Sequence, residues 1–118
     1  MDELVTIIAG SRGVTDYNDV MQATLDASWT ISEVVSGHAG GVDKLGERWA
    51  RDFKRPLNVF PAKWDTHGKS AGYKRNVEMA ENAEALIAVW DGESKGTKHM
   101  IDIAKDKGLR VYIHICQK

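Results

Sequence analysis

Short apolar runs alternate with longer amphipathic stretches along the chain. The runs are rich in β-branched residues and most end at glycine or proline, which is typical of β-strands. They predict strands over Leu4–Ala9, Glu33–Ser36, Leu57–Phe60, Ala85–Trp90 and Arg110–Ile115. The stretches between them repeat apolar residues at helical spacing. They predict helices over Tyr17–Ser28, Asp43–Phe53, Tyr73–Asn82 and Thr97–Lys107.

This strict alternation of strand and helix predicts an α/β fold with a parallel sheet covered by helices on both faces. We expect residues 1–118 to form a single Rossmann-like domain with three layers and a five-stranded sheet. Right-handed crossovers favour the strand order 3-2-1-4-5. The flavodoxin-like order 2-1-3-4-5 is the alternative that the pattern leaves open.

Composition narrows the class of protein further. The 118 residues carry a formal net charge of −1, which gives no support for a general nucleic-acid-binding surface. No apolar run approaches the length of a membrane-spanning helix, so we expect a cytoplasmic domain without a membrane partner. The four histidines show no zinc-binding spacing and Cys116 is the only cysteine. We therefore expect neither a metal nor another cofactor.

Unusual residues gather just after the predicted strands. In an open parallel sheet, ligands bind beyond the carboxyl ends of the strands, where these loops meet. Glycines there let backbone N–H groups approach a phosphate, and the following helix N-terminus adds further donors. The sequence therefore predicts a phosphate-binding edge formed by Gly10, Ser11, Arg12, Ser36, Gly37, His38, Gly40, Gly41, Asp43, Lys63, Trp64, Arg75, Asn76, Asp91, Ser94, Gly96 and Thr97.

Several of these residues have two plausible roles. Asp43 is either a helix N-cap or a ligand contact, and Asp91 either caps the last helix or contacts ribose. Trp64 either stacks on a base or covers the end of the sheet. Arg75 is predicted in the first turn of its helix, where the helix dipole disfavours a cation, and this favours a functional role.

Four motifs in order resemble the SLOG superfamily, which includes the DNA-processing Smf/DprA domain and the LOG enzymes. They are Ile8–Arg12, Ser36–Asp43, Lys74–Asn76 and Val89–Thr97. The most similar branch is the small YspA-like, YpsA-related one, and the resemblance extends from Val5 to about Ile115. It implies a Rossmann-like domain that binds nucleotides or nucleotide-derived ligands.

The resemblance also suggests a reaction. In LOG enzymes, the arginine that corresponds to Arg75 takes part in N-glycosidic cleavage of a nucleoside monophosphate, and Gly96 and Thr97 match a Gly-Thr signature. The catalytic glutamate of those enzymes is replaced here by His99. Asp91 and Glu93 are the carboxylates left nearby.

We therefore rank three hypotheses. The first is a sensor or sequestering module for a nucleotide-derived small molecule, such as an ADP-ribose-like, NAD-like or nucleoside-phosphate ligand. The second is a nucleotide N-glycosidase that uses Arg75 with Asp91 or Glu93. The third is single-stranded nucleic-acid binding through Trp64 and neighbouring cations, including Lys69; we expect no such partner. We also expect the chain to form a homo-oligomer.

Overall fold

The computed structural model describes residues 2–116 as five strands alternating with helices. The strands are β1 (Glu3–Gly10), β2 (Thr30–Ser36), β3 (Leu57–Val59), β4 (Ala85–Trp90) and β5 (Arg110–Ile115). The helices are α1 (Tyr17–Asp26), α2 (Val42–Asp52), α3 (Trp64–His67), α4 (Ala71–Glu81) and α5 (Lys95–Asp106), with a 3₁₀ turn over Gly68–Ser70. The order of elements along the chain confirms the alternation that the apolar pattern predicts.

All five strands belong to one parallel sheet in the order β3-β2-β1-β4-β5. This confirms the preferred topology and excludes the flavodoxin-like alternative, in which β1 would separate β2 from β3. The first strand is central and pairs with β2 on one side and β4 on the other. The chain adds strands β1 to β3 in one direction across the sheet and strands β4 and β5 in the opposite direction. The change of direction therefore falls between the neighbouring strands β1 and β4.

Two apolar layers flank the sheet because successive strand residues point to opposite faces. Ile8 packs with residues of α1 and α2, whereas its neighbour Ile7 packs with residues of α4 and α5. Every residue of β4 from Ala85 to Val89 is buried. This two-sided burial explains why β4 reads as a continuous apolar run rather than an alternating one.

Several helix bounds differ from the prediction. The helix α1 ends at Asp26 rather than Ser28, α2 spans Val42–Asp52, and α5 spans Lys95–Asp106. The helix α4 begins at Ala71, two residues earlier than predicted, so Arg75 lies in its second turn and not in the first. The helix α3 was predicted as loop, because four residues are too few to show an apolar period. Among residues 2–116, no helix combines the length and the apolar content that crossing a bilayer requires.

Candidate functional site

A cavity of about 470 Å³ lies over the carboxyl ends of β1 and β4, beside α4 and α5. These two strands flank the point where the chain reverses direction across the sheet, so we call this space the switch-point cavity. Parallel α/β sheets bind their ligands at this position. The volume falls within the roughly 300–1,000 Å³ that small-molecule sites occupy.

The structure brings most of the predicted site residues to this cavity. The predicted residues that line it are Gly10, Ser11, Arg12, Asp43, Trp64, Arg75, Asn76, Asp91, Ser94, Gly96 and Thr97. Those that do not line it are Ser36, Gly37, His38, Gly40, Gly41, Lys63 and Glu93. The wall also includes residues that the prediction of a binding edge omitted, namely Ala9, Gly13, Lys69, Gly72, Tyr73, Met79 and Met100.

The loop after β1 forms one side of the cavity and is anchored to β4. The backbone N–H of Ser11 donates to the Val89 carbonyl at 3.1 Å, and its hydroxyl accepts from the Asp91 N–H at 3.0 Å. A side chain at Gly10 would place its Cβ 1.9 Å from the Val89 carbonyl oxygen. Gly10 is therefore required for close packing of β1 against β4, whether or not a ligand is bound.

Arg12 extends from this loop into solvent at the cavity wall. Its guanidinium forms no hydrogen bond or ion pair with other groups in residues 2–116. An exposed cation on a short loop, without a hydrogen-bonded partner among the described residues, is suited to an anionic ligand.

The polar groups at the end of β2 and in the loop after it hydrogen-bond to one another and to α2. The buried Ser36 hydroxyl donates to Glu47 Oε2 at 2.8 Å and accepts from the His38 N–H at 3.1 Å. His38 Nδ1 lies 2.8 Å from the same carboxylate oxygen. These contacts explain why Ser36 and His38 lie outside the cavity wall, although the sequence groups them with phosphate-binding loops.

Glycines in the β2–α2 loop make room for protein groups. Gly41 has a φ of 67°, and a Cβ there would lie 2.5 Å from the carbonyl oxygens of Ser11 and Arg12. A Cβ at Gly37 would lie 2.5 Å from Arg75 Nη1. The loop thus packs directly against the β1 loop and the Arg75 guanidinium.

Arg75 reaches from α4 across the cavity to this loop. Its Nη1 donates to the Gly37 carbonyl at 2.6 Å, and its Nε donates to Asn76 Oδ1 at 3.0 Å. Burial lowers the pKa of Arg75, the Asp43 charge opposes this change, and the Arg12 charge adds to it. The guanidinium nevertheless stays protonated at neutral pH. Arg12 and Arg75 are therefore two cations close enough to repel each other.

Asp43 occupies the first turn of α2 and is only 4% exposed. It is not the N-cap, which is Gly41; instead its Oδ2 accepts from the Ala39 N–H at 3.1 Å. Burial raises the pKa of Asp43, although that hydrogen bond and the charge of Arg75 act to lower it. Asp43 therefore takes up a proton more readily than an exposed aspartate does.

Between β4 and α5, a hydrogen-bonded turn brings the start of α5 to the cavity. Asp91 Oδ1 accepts from the N–H groups of Glu93 and Ser94, both at 2.8 Å. Ser94 is the N-cap of α5 and its hydroxyl accepts from the Thr97 N–H at 3.4 Å. Asp91 therefore shapes the turn before the cap, and Glu93 does not line the cavity.

Two exposed aromatic rings line the cavity. Trp64 on α3 is 52% exposed and Tyr73 on α4 is 47% exposed. The Tyr73 ring contacts the edge of His99, with centroids 4.5 Å apart. His99 in turn accepts from Asn76 Nδ2 at 3.1 Å and is not part of the cavity wall. His99 is the residue that the resemblance to LOG enzymes aligns with their glutamate. Burial lowers the pKa of its imidazole, which favours the uncharged ring.

Comparison with known proteins places the chain in a family. Residues 5–67 match the family described as YspA, cpYpsA-related SLOG. The Gene 61 protein of Mycobacterium phage D29 is 36% identical over 114 residues, which covers 89% of this chain and 91% of the relative. No solved structure matches the sequence. Because the family match covers more than half of the chain, the chain is a member of the YspA, cpYpsA-related SLOG family.

Proposed function

We propose that the switch-point cavity binds a nucleotide or nucleotide-derived small molecule, and that the protein acts as a sensor or sequestering module for it. The observation that carries this proposal is the convergence of cationic side chains and exposed aromatic rings on one cavity at the reversal point of the sheet. Membership of the SLOG family is consistent with a nucleotide-related ligand.

The cations provide a site for phosphate. Arg12, Lys69 and Arg75 all line the cavity, and the first turn of α5 contributes Gly96 and Thr97 to the same wall. An anion placed between Arg12 and Arg75 would relieve the repulsion between the two guanidinium groups. The start of α5 adds the partial positive charge of a helix N-terminus.

The aromatic rings provide a site for a base. Stacking on an aromatic side chain contributes about 1–3 kcal/mol per base and tolerates any base because each has a π-face. Trp64 and Tyr73 are each about half exposed, so their faces are available without disturbing the core. Met79 and Met100 add an apolar surface to the wall. An ADP-ribose-like, NAD-like or nucleoside-phosphate ligand combines the two chemistries.

The same contacts favour binding over hydrolysis. Glu93, one of the two candidate carboxylates for N-glycosidic cleavage, lies outside the cavity wall. Asp91 lines the wall, but its Oδ1 accepts two backbone hydrogen bonds that hold the turn before α5. Asp91 is thus the carboxylate on which the alternative N-glycosidase function would depend.

Thermal unfolding with a panel of ligands tests the proposal. The panel comprises nucleoside mono-, di- and triphosphates, NAD and ADP-ribose, with ribose and inorganic phosphate as partial ligands. A ligand at 100 times its Kd stabilises the folded state by about 2.7 kcal/mol, which corresponds to a shift of several degrees. The absence of a shift with every compound would contradict the proposal.

A variant pair locates the binding site. Arg12→Gln removes a cavity cation that has no protein partner among residues 2–116, so affinity should fall about 10- to 100-fold without loss of stability. Arg51→Gln removes an exposed arginine from the far end of α2 and should leave affinity unchanged. Equal affinities of the two variants would exclude the switch-point cavity as the site.

Chromatographic analysis of the bound ligand after incubation separates the remaining functions. Recovery of intact nucleotide supports the sensor or sequestering role. Release of free base that is lost in Asp91→Asn would instead establish the N-glycosidase. Binding of single-stranded oligonucleotides that weakens steeply with salt, with no response to mononucleotides, would establish the third hypothesis.

A further inference from the structure

Outside the switch-point cavity, the fold assembles a cluster of three different metal-binding side chains. Asp19 comes from α1, His114 from β5 and Cys116 from the segment that follows β5. Their ligand atoms all lie within 4.8 Å of one another. The Cys116 N–H donates to the Trp90 carbonyl at 2.8 Å, which fixes the cysteine beside the end of β4.

The spacing of the three ligand atoms is close to that of a tetrahedral metal site. Zinc bonds of about 2.0–2.3 Å to nitrogen, oxygen and sulfur place neighbouring ligand atoms about 3.3–3.8 Å apart. His114 Nε2 and Asp19 Oδ1 are already 3.3 Å apart. The Cys116 sulfur needs only a small side-chain movement, because no pair of atoms is further apart than 4.8 Å.

The surroundings of the cluster are negative. The charges of three carboxylates, those of Asp16, Asp19 and Asp91, act on the Cys116 thiol. These groups come from the loop before α1, from α1 itself and from the loop after β4. A negative field of this kind favours a bound cation.

We propose that Asp19, His114 and Cys116 form a binding site for a divalent transition metal of the Zn²⁺ class. One thiol, one imidazole and one carboxylate form a mixed donor set that suits zinc better than Mg²⁺ or Ca²⁺, which prefer oxygen alone. Binding forms one metal–sulfur bond and releases the thiol proton to solvent. Water completes the coordination, since Asp19 and His114 are both partly exposed.

Cobalt is a suitable probe because it occupies zinc sites and is coloured. Untagged, chelator-treated protein titrated with Co²⁺ should bind one equivalent. It should show a thiolate-to-metal absorption band in the near ultraviolet together with visible bands of tetrahedral intensity. Zn²⁺ should then displace Co²⁺ and abolish both sets of bands. Absence of the thiolate band would overturn the proposal.

Two variants identify the ligands. Changes to groups that merely support a metal ligand cost about 10- to 100-fold in affinity, so loss of a ligand should cost at least about 100-fold. We expect this loss in Cys116→Ser and in His114→Asn. The matched control His67→Asn removes a histidine whose nearest described partner is Lys74, and it should bind Co²⁺ as the wild type does.

Metal binding of unchanged strength in His114→Asn would also overturn the proposal. Circular dichroism of each variant shows whether a loss of affinity reflects unfolding, and Cys116→Ser conserves size at a half-buried position. The titrations contain no nucleotide. Failure of the metal site would therefore leave the proposed nucleotide site untouched, and the reverse is also true.

Discussion

Two glycine-containing loops at the same edge of the sheet have different roles. The loop after β1 contributes Gly10, Ser11, Arg12 and Gly13 to the wall of the switch-point cavity. Residues 37–41, after β2, contribute nothing to that wall. From sequence, both loops look like phosphate-binding turns, because glycine, serine and a polar side chain follow a buried strand in each.

The difference lies in where the polar groups find their partners. In the β2–α2 loop the Ser36 hydroxyl, the His38 ring and the Gly37 carbonyl are engaged by Glu47 or Arg75. In the β1–α1 loop the Arg12 guanidinium finds no such partner within residues 2–116. Glycine allows close approach of any group, and in the β2–α2 loop the approaching group belongs to the protein itself.

The largest effect that this comparison predicts is at Gly41. Gly41→Ala combines a positive φ with contacts of 2.5 Å to two carbonyl oxygens, so the free energy of unfolding should fall by about 3 kcal/mol or more. Gly40→Ala, one residue away, meets open space and should change it by less than about 0.5 kcal/mol. Urea unfolding of both variants measures the contrast, and similar stabilities would refute the packing role of Gly41.

A smaller loss of stability is expected at Ser36. Ser36→Ala removes a buried hydroxyl that bonds both Glu47 and the His38 N–H, which should cost about 1–3 kcal/mol. Ser28→Ala, at an exposed position, is the control and should have little effect. Nucleotide affinity of folded Ser36→Ala should match that of the wild type. A selective loss of affinity would instead mean that this loop contacts the ligand.

Asp43, which lies between the two loops, should make stability depend on pH. Because its pKa is raised in the folded state, folding favours the protonated carboxyl. That stabilisation is complete below the ordinary carboxyl pKa of 3.8 and is lost as pH rises through the folded-state value. Relative to Asp43→Asn, the wild type should therefore become less stable as pH increases. Urea unfolding from about pH 3 to 7 measures the difference, and the opposite slope would contradict the role of burial.

The smallest effect is expected at Glu93. Its side chain is exposed and outside the cavity wall, so solvent screens its charge from a bound ligand. Calorimetric titration of Glu93→Gln with a ligand found in the thermal panel should give a Kd within about twofold of the wild type. A tenfold change would place Glu93 in the binding site.

Most of the fold was predictable because strands buried on both faces appear in the sequence as continuous apolar runs. The bounds of β4 and β5 match the predicted strands, and the sheet order follows from right-handed crossovers. The strand β2 begins at Thr30, three residues before the predicted start, and Thr30–Ser32 alternate polar and apolar residues as a half-buried strand does. The helix α3 was missed because it is a single turn.

The site was predictable only in part, because side-chain partners depend on the three-dimensional structure. Tyr73 and Met100 have helical spacing and read as core; Met100 is buried, whereas Tyr73 is 47% exposed on the cavity wall. Nothing local shows that Glu47, two turns into α2, accepts a hydrogen bond from Ser36. Similarly, Asp19 and His114 are far apart in the sequence. Their contact becomes visible only in the folded structure, where α1 packs beside β5.

The uneven placement of the four tryptophans has an optical consequence. Trp29 and Trp49 are buried, and the Trp90 indole N–H donates to the Ser94 carbonyl at 3.1 Å. Trp64 alone is more than half exposed, on the cavity wall. A small aqueous quencher such as acrylamide should therefore extinguish its red-shifted emission first, while the blue emission of the other indoles persists. Any compound seated in the cavity would shield that one fluorophore, and the native protein would report the event without a dye.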